Sequence, residues 1–199
     1  VDTSKEMLDV LNIHVISSIS TTTIKQMVFE LYDYNNNVCG ICCAVPFVYD
    51  VESIKYGTDI NEALKKIYSE VYEVAKEIQN NRNIPIIATG HLYANDLEGR
   101  LSNSNSSIKT DDGTRILDVL GNIGNVKTEV FMENFDYVAL GHIHYTTRVS
   151  KKENIRYSGS PFVLGFDECN LPHYVLDVDI NTNKDLSKKI IVNKAEVPV

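Results

Sequence analysis

The chain has 199 residues, 43% of them hydrophobic and 23% charged, which is enough apolar material for one globular core. No apolar run reaches the about 20 residues that a bilayer-spanning helix needs, and no secretory signal opens the chain, so we expect a cytoplasmic protein without membrane contact. The net charge of −8 argues against autonomous nucleic-acid binding, because proteins that neutralise phosphates present a basic face.

The first part of the chain shows short helix and strand signals separated by turn residues. Thr3 or Ser4 can cap a short helix that runs to Leu11. The predicted elements that follow are a strand near His14–Ser17, a strand from Ile24 to Leu31, a turn at Asn35-Asn36-Asn37 and a loop from Pro46 to Gly57.

The segment Cys39-Gly40-Ile41-Cys42 has the spacing of a thioredoxin-type redox pair or of half a zinc site. A redox pair normally opens a helix, whose terminus lowers the thiol pKa, whereas Val38 to Val45 reads as a buried strand. A zinc site needs a second pair, and Cys169 stands alone. We therefore interpret the cysteines as buried reduced thiols, which suit a reducing compartment.

The middle of the chain predicts one long helix and then a buried strand. From Asp59 to Asn80 apolar residues recur at spacings of three and four, which indicates a helix of about 30 Å with one apolar stripe. The stripe consists of Leu64, Ile67, Val71, Val74 and Ile78. We interpret it as the face that packs on a sheet rather than as a partner surface, with Ile84 to Gly90 as the next strand.

The rest of the chain alternates between polar segments and strands. Residues 102–114 are rich in Ser, Asn and Asp and predict a surface loop, because little apolar area offsets the cost of ordering them. Ile155-Arg156-Tyr157 is a predicted strand. Apolar residues alternate from His173 to Ile180, and Asn181-Thr182-Asn183 turns the chain into a second strand around Lys188–Val192.

Two apolar segments end in glycine followed by histidine. The segment Ile84 to Gly90 precedes His91, and Tyr137 to Gly141 precedes His142 and His144. In α/β sheets the carboxyl ends of neighbouring strands face one crevice, where ligands bind. Neutral imidazole is the commonest side-chain metal ligand, and glycine lets the backbone turn beside an ion. One Gly-His pair alone is better explained by a histidine that caps a strand, but the three histidines together predict a shared metal site.

Four segments match one known family in order and spacing. They are Ile87-Ala88-Thr89-Gly90-His91, Tyr137 to His144, Tyr157-Ser158-Gly159-Ser160-Pro161 and Phe166-Asp167-Glu168-Cys169. With these segments the chain resembles the SbcD family of bacterial nuclease subunits, which are calcineurin-like metallophosphoesterases. Gly-His-x-His alone would indicate only a phosphoesterase. The later Ser-Gly-Ser-Pro and Phe-Asp-Glu motifs narrow the resemblance from that superfamily to the SbcD family. It implies an α/β fold that forms part of a four-layer α/β/β/α sandwich.

The resemblance also implies a function and partners. The family hydrolyses DNA phosphodiester bonds with two manganese ions, in DNA end processing, repair and recombination, as an exonuclease and endonuclease. His91 and His142 would hold one ion, His144 the other, and Ser160 would contact substrate, although a tight turn alone also explains the Ser160 loop. The implied partners are DNA, an SbcC-type ATPase subunit and a second copy of the chain that contacts Glu6 to Leu11.

Other motifs of that family do not occur in this chain. Asp-x-His and Gly-Asp are absent, and Gly121-Asn122 and Gly124-Asn125 are not followed by His-Asp. The resemblance therefore implies that residues 1–199 are the second half of a nuclease domain, incomplete at the N-terminal side and without the downstream capping domain. Three imidazoles without a bridging aspartate should bind manganese weakly, because hard oxygen ligands usually complete its shell. We expect no catalytic residue within the chain and no nuclease activity from it alone.

Two other function classes stay open. One is another calcineurin-like phosphatase or phosphodiesterase, which would act on small phosphate esters and leave DNA intact. The other is a non-catalytic binding module, which would be stable without metal and indifferent to DNA.

Overall fold

The computed structural model of the chain describes residues 8, 11, 13–94, 126–170, 172–182 and 190–198. The strands within these ranges are β1 (Val28–Tyr32), β2 (Val38–Ala44), β3 (Ile86–His91), β4 (Tyr137–Gly141), β5 (Thr147–Arg148), β6 (Ile155–Tyr157), β7 (His173–Ile180) and β8 (Ile190–Val197). The α-helices are α1 (Asp50–Ser53) and α2 (Ile60–Gln79), and the 3-10 helices are Ile24–Met27, Thr128–Asn134 and Phe166–Glu168.

Six of these strands form one sheet in the order β1-β2-β3-β4-β6-β5. Strands β2, β3, β4 and β6 run parallel to one another, while β1 and β5 pair antiparallel at the two edges. Strands β7 and β8 form a separate antiparallel hairpin, as the alternating pattern predicts. A mixed sheet with a long helix packed against it confirms the predicted α/β class. None of the described helices is long and apolar enough to cross a membrane.

Helix α2 begins and ends at residues suited to those positions. The Asp59 carboxylate accepts hydrogen bonds from the amides of Asn61 and Glu62 at 2.7 and 3.0 Å, which satisfies two of the donors left free at a helix start. Asn80 ends the helix in the left-handed region, with φ 45°. The predicted stripe is confirmed, because Leu64, Ile67 and Val71 are buried and Val74 and Ile78 pack at the margin of the core.

Removal of the Asp59 cap should weaken this helix and the sheet that it covers. We expect Asp59→Ala to lower the free energy of unfolding by about 1 kcal/mol, which is the usual loss for an N-cap. Urea denaturation measures the change. Glu73→Ala, which removes an exposed carboxylate from the middle of the same helix, serves as the control. Equal losses in the two variants would contradict a capping role for Asp59.

The cysteine motif lies in strand β2, as predicted. Cys39 lies at an irregularity in the pairing of β1 with β2, where it is exposed, whereas Cys42 is half-buried in the regular part of the strand. Burial raises the pKa of Cys42 to about 11 and, with the charge of Cys42, that of Cys43 to about 12. All four cysteines are free, but the prediction that they are buried is wrong for Cys39 and Cys169, which are exposed.

Two predicted strands near the start of the chain are wrong or too long. Residues His14–Ser17 form no strand, and the His14 ring instead stacks on Phe29 with centroids 4.0 Å apart. The predicted strand from Ile24 begins only at Val28, because Ile24–Met27 is a 3-10 helix. The Gln26 side-chain oxygen accepts hydrogen bonds from both the amide and the hydroxyl of Thr23 at 2.9 Å, which folds this segment locally.

Smaller differences lie further along the chain. The loop predicted from Pro46 to Gly57 contains α1, and the two-residue strand β5 was not predicted. Most of the predicted helix through Leu11, most of the dimer contact predicted at Glu6 to Leu11, and the whole loop 102–114 lie outside the described residues. The four-layer arrangement and the assignment of residues 1–199 to half of a domain stay predictions.

Candidate metal centre

The histidines that follow β3 and β4 lie beside each other at one edge of the sheet. His91 is the last residue of β3 and pairs with Gly141, the last residue of β4, and His142 follows directly. The ring centroids of His91 and His142 are 5.3 Å apart and their planes meet at 76°. Parallel pairing therefore brings the two Gly-His segments to the same edge, which is the arrangement that the sequence predicts.

The backbone of His142 adopts a conformation that side chains disfavour. Its φ is +100°, in the region that glycine occupies most easily. Holding a non-glycine residue there costs about 1–3 kcal/mol and requires support from its surroundings. The conformation carries the ring across from His91 to the edge of Tyr93, whose centroid is 6.3 Å away. The fold thus holds His142 in a strained backbone conformation. Residues with such strain are concentrated at functional sites.

Partial burial favours the uncharged form of the two imidazoles. The Phe47 ring meets His91 edge to face with centroids 6.0 Å apart, and Tyr93 is buried beside His142. Burial lowers the pKa of His91 below its ordinary value, and the charge of His144 lowers it further. Burial also lowers the pKa of His142, followed by the charges of His91 and His144. Neutral imidazole is the form that binds metals, so the site is electrostatically suited to a cation.

These shifts predict how the stability of the metal-free chain depends on pH. In the unfolded chain both histidines have a pKa of about 6.5, but in the folded chain their pKa is lower and they bind protons less readily. Above that pH neither state is protonated. As the pH falls through that value the unfolded chain gains protons first, and the free energy of unfolding decreases. Urea denaturation between about pH 8 and about pH 5 measures this, and His91→Gln/His142→Gln should flatten the dependence. An unchanged slope in the double variant would contradict the prediction.

His144 lies two residues further and contacts a carboxylate. Its Nδ1 is 2.6 Å from Oε1 of Glu168, and 48% of the His144 side chain is exposed against 11% of the Glu168 side chain. Glu168 belongs to the Phe166–Glu168 segment that carried the family resemblance, but sequence reasoning gave it no role. The two residues are 24 positions apart, and nothing in that spacing signals a contact.

Ser160 is buried in the turn that follows β6. Its amide donates to the carbonyl of His144 at 2.9 Å, while its hydroxyl donates to the carbonyl of Phe162 and accepts from the Phe162 amide at 3.3 Å. Its carbonyl oxygen lies 2.9 Å from Nδ1 of His173, which is itself buried. The hydroxyl is thus engaged within its own loop, and its contact with substrate stays a prediction.

The three predicted ligands suit a metal as donors but do not form a closed set. Neutral His91 and His142 have converging rings, and His144 has one ring nitrogen on a carboxylate and the other directed elsewhere. Within the described part of the chain, no three or more His, Cys, Asp or Glu side chains are grouped closely enough to hold an ion. The donor types fit a metal, and the assignment of these three histidines as ligands stays a prediction.

Comparison with known proteins agrees with this geometry. No protein-family model matches the chain. The chain is similar to the SbcD subunit of the SbcCD nuclease from Escherichia coli strain K12 and to that from Escherichia coli O157:H7, with 28% identity to each over 155 aligned positions. The alignment covers 73% of this chain and 35% of each relative, so the chain spans about a third of the length of the curated relatives it matches. The resemblance inferred from the sequence motifs is confirmed.

Proposed function

We propose that this chain forms part of the metal centre of an SbcD-type DNA nuclease, in which His91 and His142 bind one ion and His144 binds a second. One observation carries the proposal: the parallel register of β3 and β4 holds two neutral imidazoles with centroids 5.3 Å apart at the carboxyl edge of the sheet. The similarity to a component of a nuclease supports the class of reaction.

The choice of manganese and of a phosphodiester substrate rests on the resemblance to the SbcD family, since imidazole donors by themselves also suit other first-row metals. Imidazole nitrogen is a ligand that divalent first-row metals accept, and bound ions would supply activation of water and charge stabilisation for a displacement at phosphorus. The residues of this chain would hold the nitrogen ligands in place, with the Phe47 ring edge to face with His91 and the Tyr93 ring edge to face with His142. The turn at Ser160 lies against the backbone of His144, and we propose that it faces the substrate phosphate.

The acidic charge of the chain bears on its partners. With a net charge of −8 the chain gains little from neutralising DNA phosphates, so we infer that productive binding to DNA also requires the metal ions and a partner protein. By the resemblance this partner is an SbcC-type ATPase, and the complex acts in DNA end processing, repair and recombination. Four free thiols suit a reducing compartment, and we propose a cytoplasmic location on that ground.

Calorimetric titration of Mn²⁺ into the 199-residue chain tests the metal assignment. We expect weak binding that is lost in His142→Ala, because that change removes one of two converging imidazoles. His14→Ala, which removes an exposed imidazole outside the site, should leave binding unchanged. Binding that survives His142→Ala, or no binding at all, would contradict the proposal. Two tight sites would show that residues outside the described ranges complete the centre.

A nuclease assay separates the proposed function from its alternatives. The chain alone should not cleave duplex DNA with Mn²⁺, because its described residues lack a closed set of ligands. Cleavage that disappears in His142→Ala would refute the expectation of an inactive chain while supporting the nuclease assignment. Hydrolysis of a small phosphate diester without any action on DNA would instead favour another phosphoesterase.

A further inference from the structure

The contact between Glu168 and His144 has the geometry of a carboxylate that orients a ligand. The Glu168 oxygen lies 2.6 Å from Nδ1 of His144, which is a short hydrogen bond between a ring nitrogen and a carboxylate. An ionised carboxylate can only accept, so the hydrogen of this bond belongs to the imidazole nitrogen. The neutral imidazole then carries its hydrogen on Nδ1 and its lone pair on Nε2.

The carboxylate is itself held in place. Its second oxygen, Oε2, accepts a hydrogen bond from the Leu164 amide at 2.8 Å, and the Glu168 amide donates to the carbonyl of Gly165 at 3.0 Å. Burial opposes the charge of this side chain. The Leu164 amide and the His144 ring nevertheless hold the pKa of Glu168 below its ordinary value. Both carboxylate oxygens are therefore engaged, and the side chain has one preferred orientation.

The backbone of His144 is fixed by the same segment of chain. The Ser160 amide donates to the His144 carbonyl at 2.9 Å. Gly159 has φ +81°, and a Cβ at that position would lie 2.9 Å from the His144 carbonyl oxygen and 3.0 Å from the Thr146 amide nitrogen. The turn at Gly159 thus packs directly on the backbone around His144. The turn therefore fixes the backbone of His144, and Glu168 fixes its ring.

We propose that Glu168 is a positioning residue that fixes the Nδ1–H tautomer of His144 and leaves Nε2 as the nitrogen free to bind a cation. Partners of this kind set the ring orientation and raise the basicity of a ligand, and their loss typically lowers metal affinity about 10–100-fold. The tautomer follows from the contact alone. The identity of what Nε2 binds rests on the function proposed above.

Imidazole ¹⁵N NMR of the metal-free chain tests the tautomer directly. The spectrum is recorded at about pH 8, where histidine is neutral, and the His144 signals are assigned by their absence in His144→Ala. We expect His144 to be mainly Nδ1–H in the unmodified chain. In Glu168→Ala the population should shift toward Nε2–H, because no acceptor remains for Nδ1–H. Glu129→Ala, which removes an exposed carboxylate elsewhere, should leave the signals unchanged.

A second variant keeps the test decisive if Glu168→Ala does not fold. Glu168→Gln retains the side-chain volume, but one amide oxygen and one amide nitrogen cannot accept from both the Leu164 amide and the His144 ring. We expect the tautomer population to shift in the same direction by a smaller amount. An unchanged population in either folded variant overturns the proposal.

Mn²⁺ titration of the same variants separates the two proposals. If both are correct, Glu168→Ala binds Mn²⁺ about 10–100-fold more weakly than the unmodified chain, while Glu129→Ala binds it equally well. A tautomer shift in a chain that binds no Mn²⁺ would support the positioning role and refute the metal assignment. Mn²⁺ binding that is independent of Glu168, together with an unchanged tautomer, would refute the positioning role alone.

Discussion

Gly90→Ala will destabilise the fold by about 3 kcal/mol, at the upper end of the usual cost of overpacking a core. A Cβ at Gly90 would lie 2.2 Å from the hydroxyl oxygen of Tyr68, which projects from α2 onto β3. Tyr68 is fully buried and its hydroxyl donates to the carbonyl of Thr89 at 3.0 Å, so the ring cannot move aside. Urea denaturation measures the loss.

Removal of the Tyr68 hydroxyl tests whether that group causes the loss of stability in Gly90→Ala. The three atoms nearest to the added Cβ are the Tyr68 hydroxyl oxygen, Leu140 Cδ2 at 3.3 Å and Leu92 Cδ2 at 3.6 Å, so no ring carbon of Tyr68 is in close conflict. Tyr68→Phe alone should cost about 1 kcal/mol for the lost hydrogen bond. The double variant Gly90→Ala/Tyr68→Phe should then be more stable than the sum of the single losses implies. Strictly additive losses would contradict this account.

A matched control lies on the neighbouring strand. A Cβ at Gly40 of β2 would come no closer than 3.5 Å to any atom outside the adjacent residues, which is ordinary van der Waals contact. Gly40→Ala should therefore leave the free energy of unfolding nearly unchanged. If Gly40→Ala is as damaging as Gly90→Ala, the loss reflects glycine replacement in strands generally rather than the close approach of Tyr68.

Tyr157→Phe should also lower the free energy of unfolding by about 3 kcal/mol. The Tyr157 hydroxyl donates to the Leu92 carbonyl at 2.7 Å and accepts from the Ala94 amide at 2.8 Å, in a fully buried position. Phenylalanine keeps the ring but leaves both backbone groups unpaired, and each such group costs about 1–3 kcal/mol. Because residues 92–94 directly follow His91, the change should also loosen that end of the site.

Two measurements check the Tyr157 prediction. Urea denaturation reports the loss of stability, and Tyr34→Phe is the control because the Tyr34 side chain is 96% exposed. Hydrogen exchange reports the local effect, since the Ala94 amide should lose its protection in Tyr157→Phe. A Tyr157→Phe chain as stable as Tyr34→Phe, with Ala94 still protected, would show that another group replaces the hydroxyl.

The elements with strong periodicity could be predicted from the sequence. Helix α2 has both an apolar stripe and end-capping residues, and β3, β4 and β7 have apolar or alternating runs bounded by turns. Where a single side chain decides the local structure, periodicity fails. The hydrogen bonds from Thr23 to Gln26 convert the first four residues of a predicted strand into a 3-10 helix, although Ile24–Met27 has an apolar composition that suits a strand.

The position of the candidate site could be predicted from the sequence, but the backbone conformation and the contacts that hold its histidines could not. Glycine followed by histidine after an apolar run places His91 and His142 at one edge of the sheet, because parallel strands share that edge. The left-handed backbone of His142 has no sequence signal, since histidine rarely adopts it. The contact of Glu168 with His144 depends on the path of the chain through β5, β6 and the Gly159 turn, which residue spacing does not encode.

The parallel register of β3 and β4 has a consequence for the order of folding. His91 and His142 are distant in sequence, and parallel strands meet only after the chain between them has crossed over, which makes such pairing slow relative to local helix formation. A chain that has formed α2 but has not yet paired β3 with β4 therefore carries scattered histidines with no common environment. The encounter of these imidazoles reports the pairing of β3 with β4, and their signals can serve as a kinetic probe of that step.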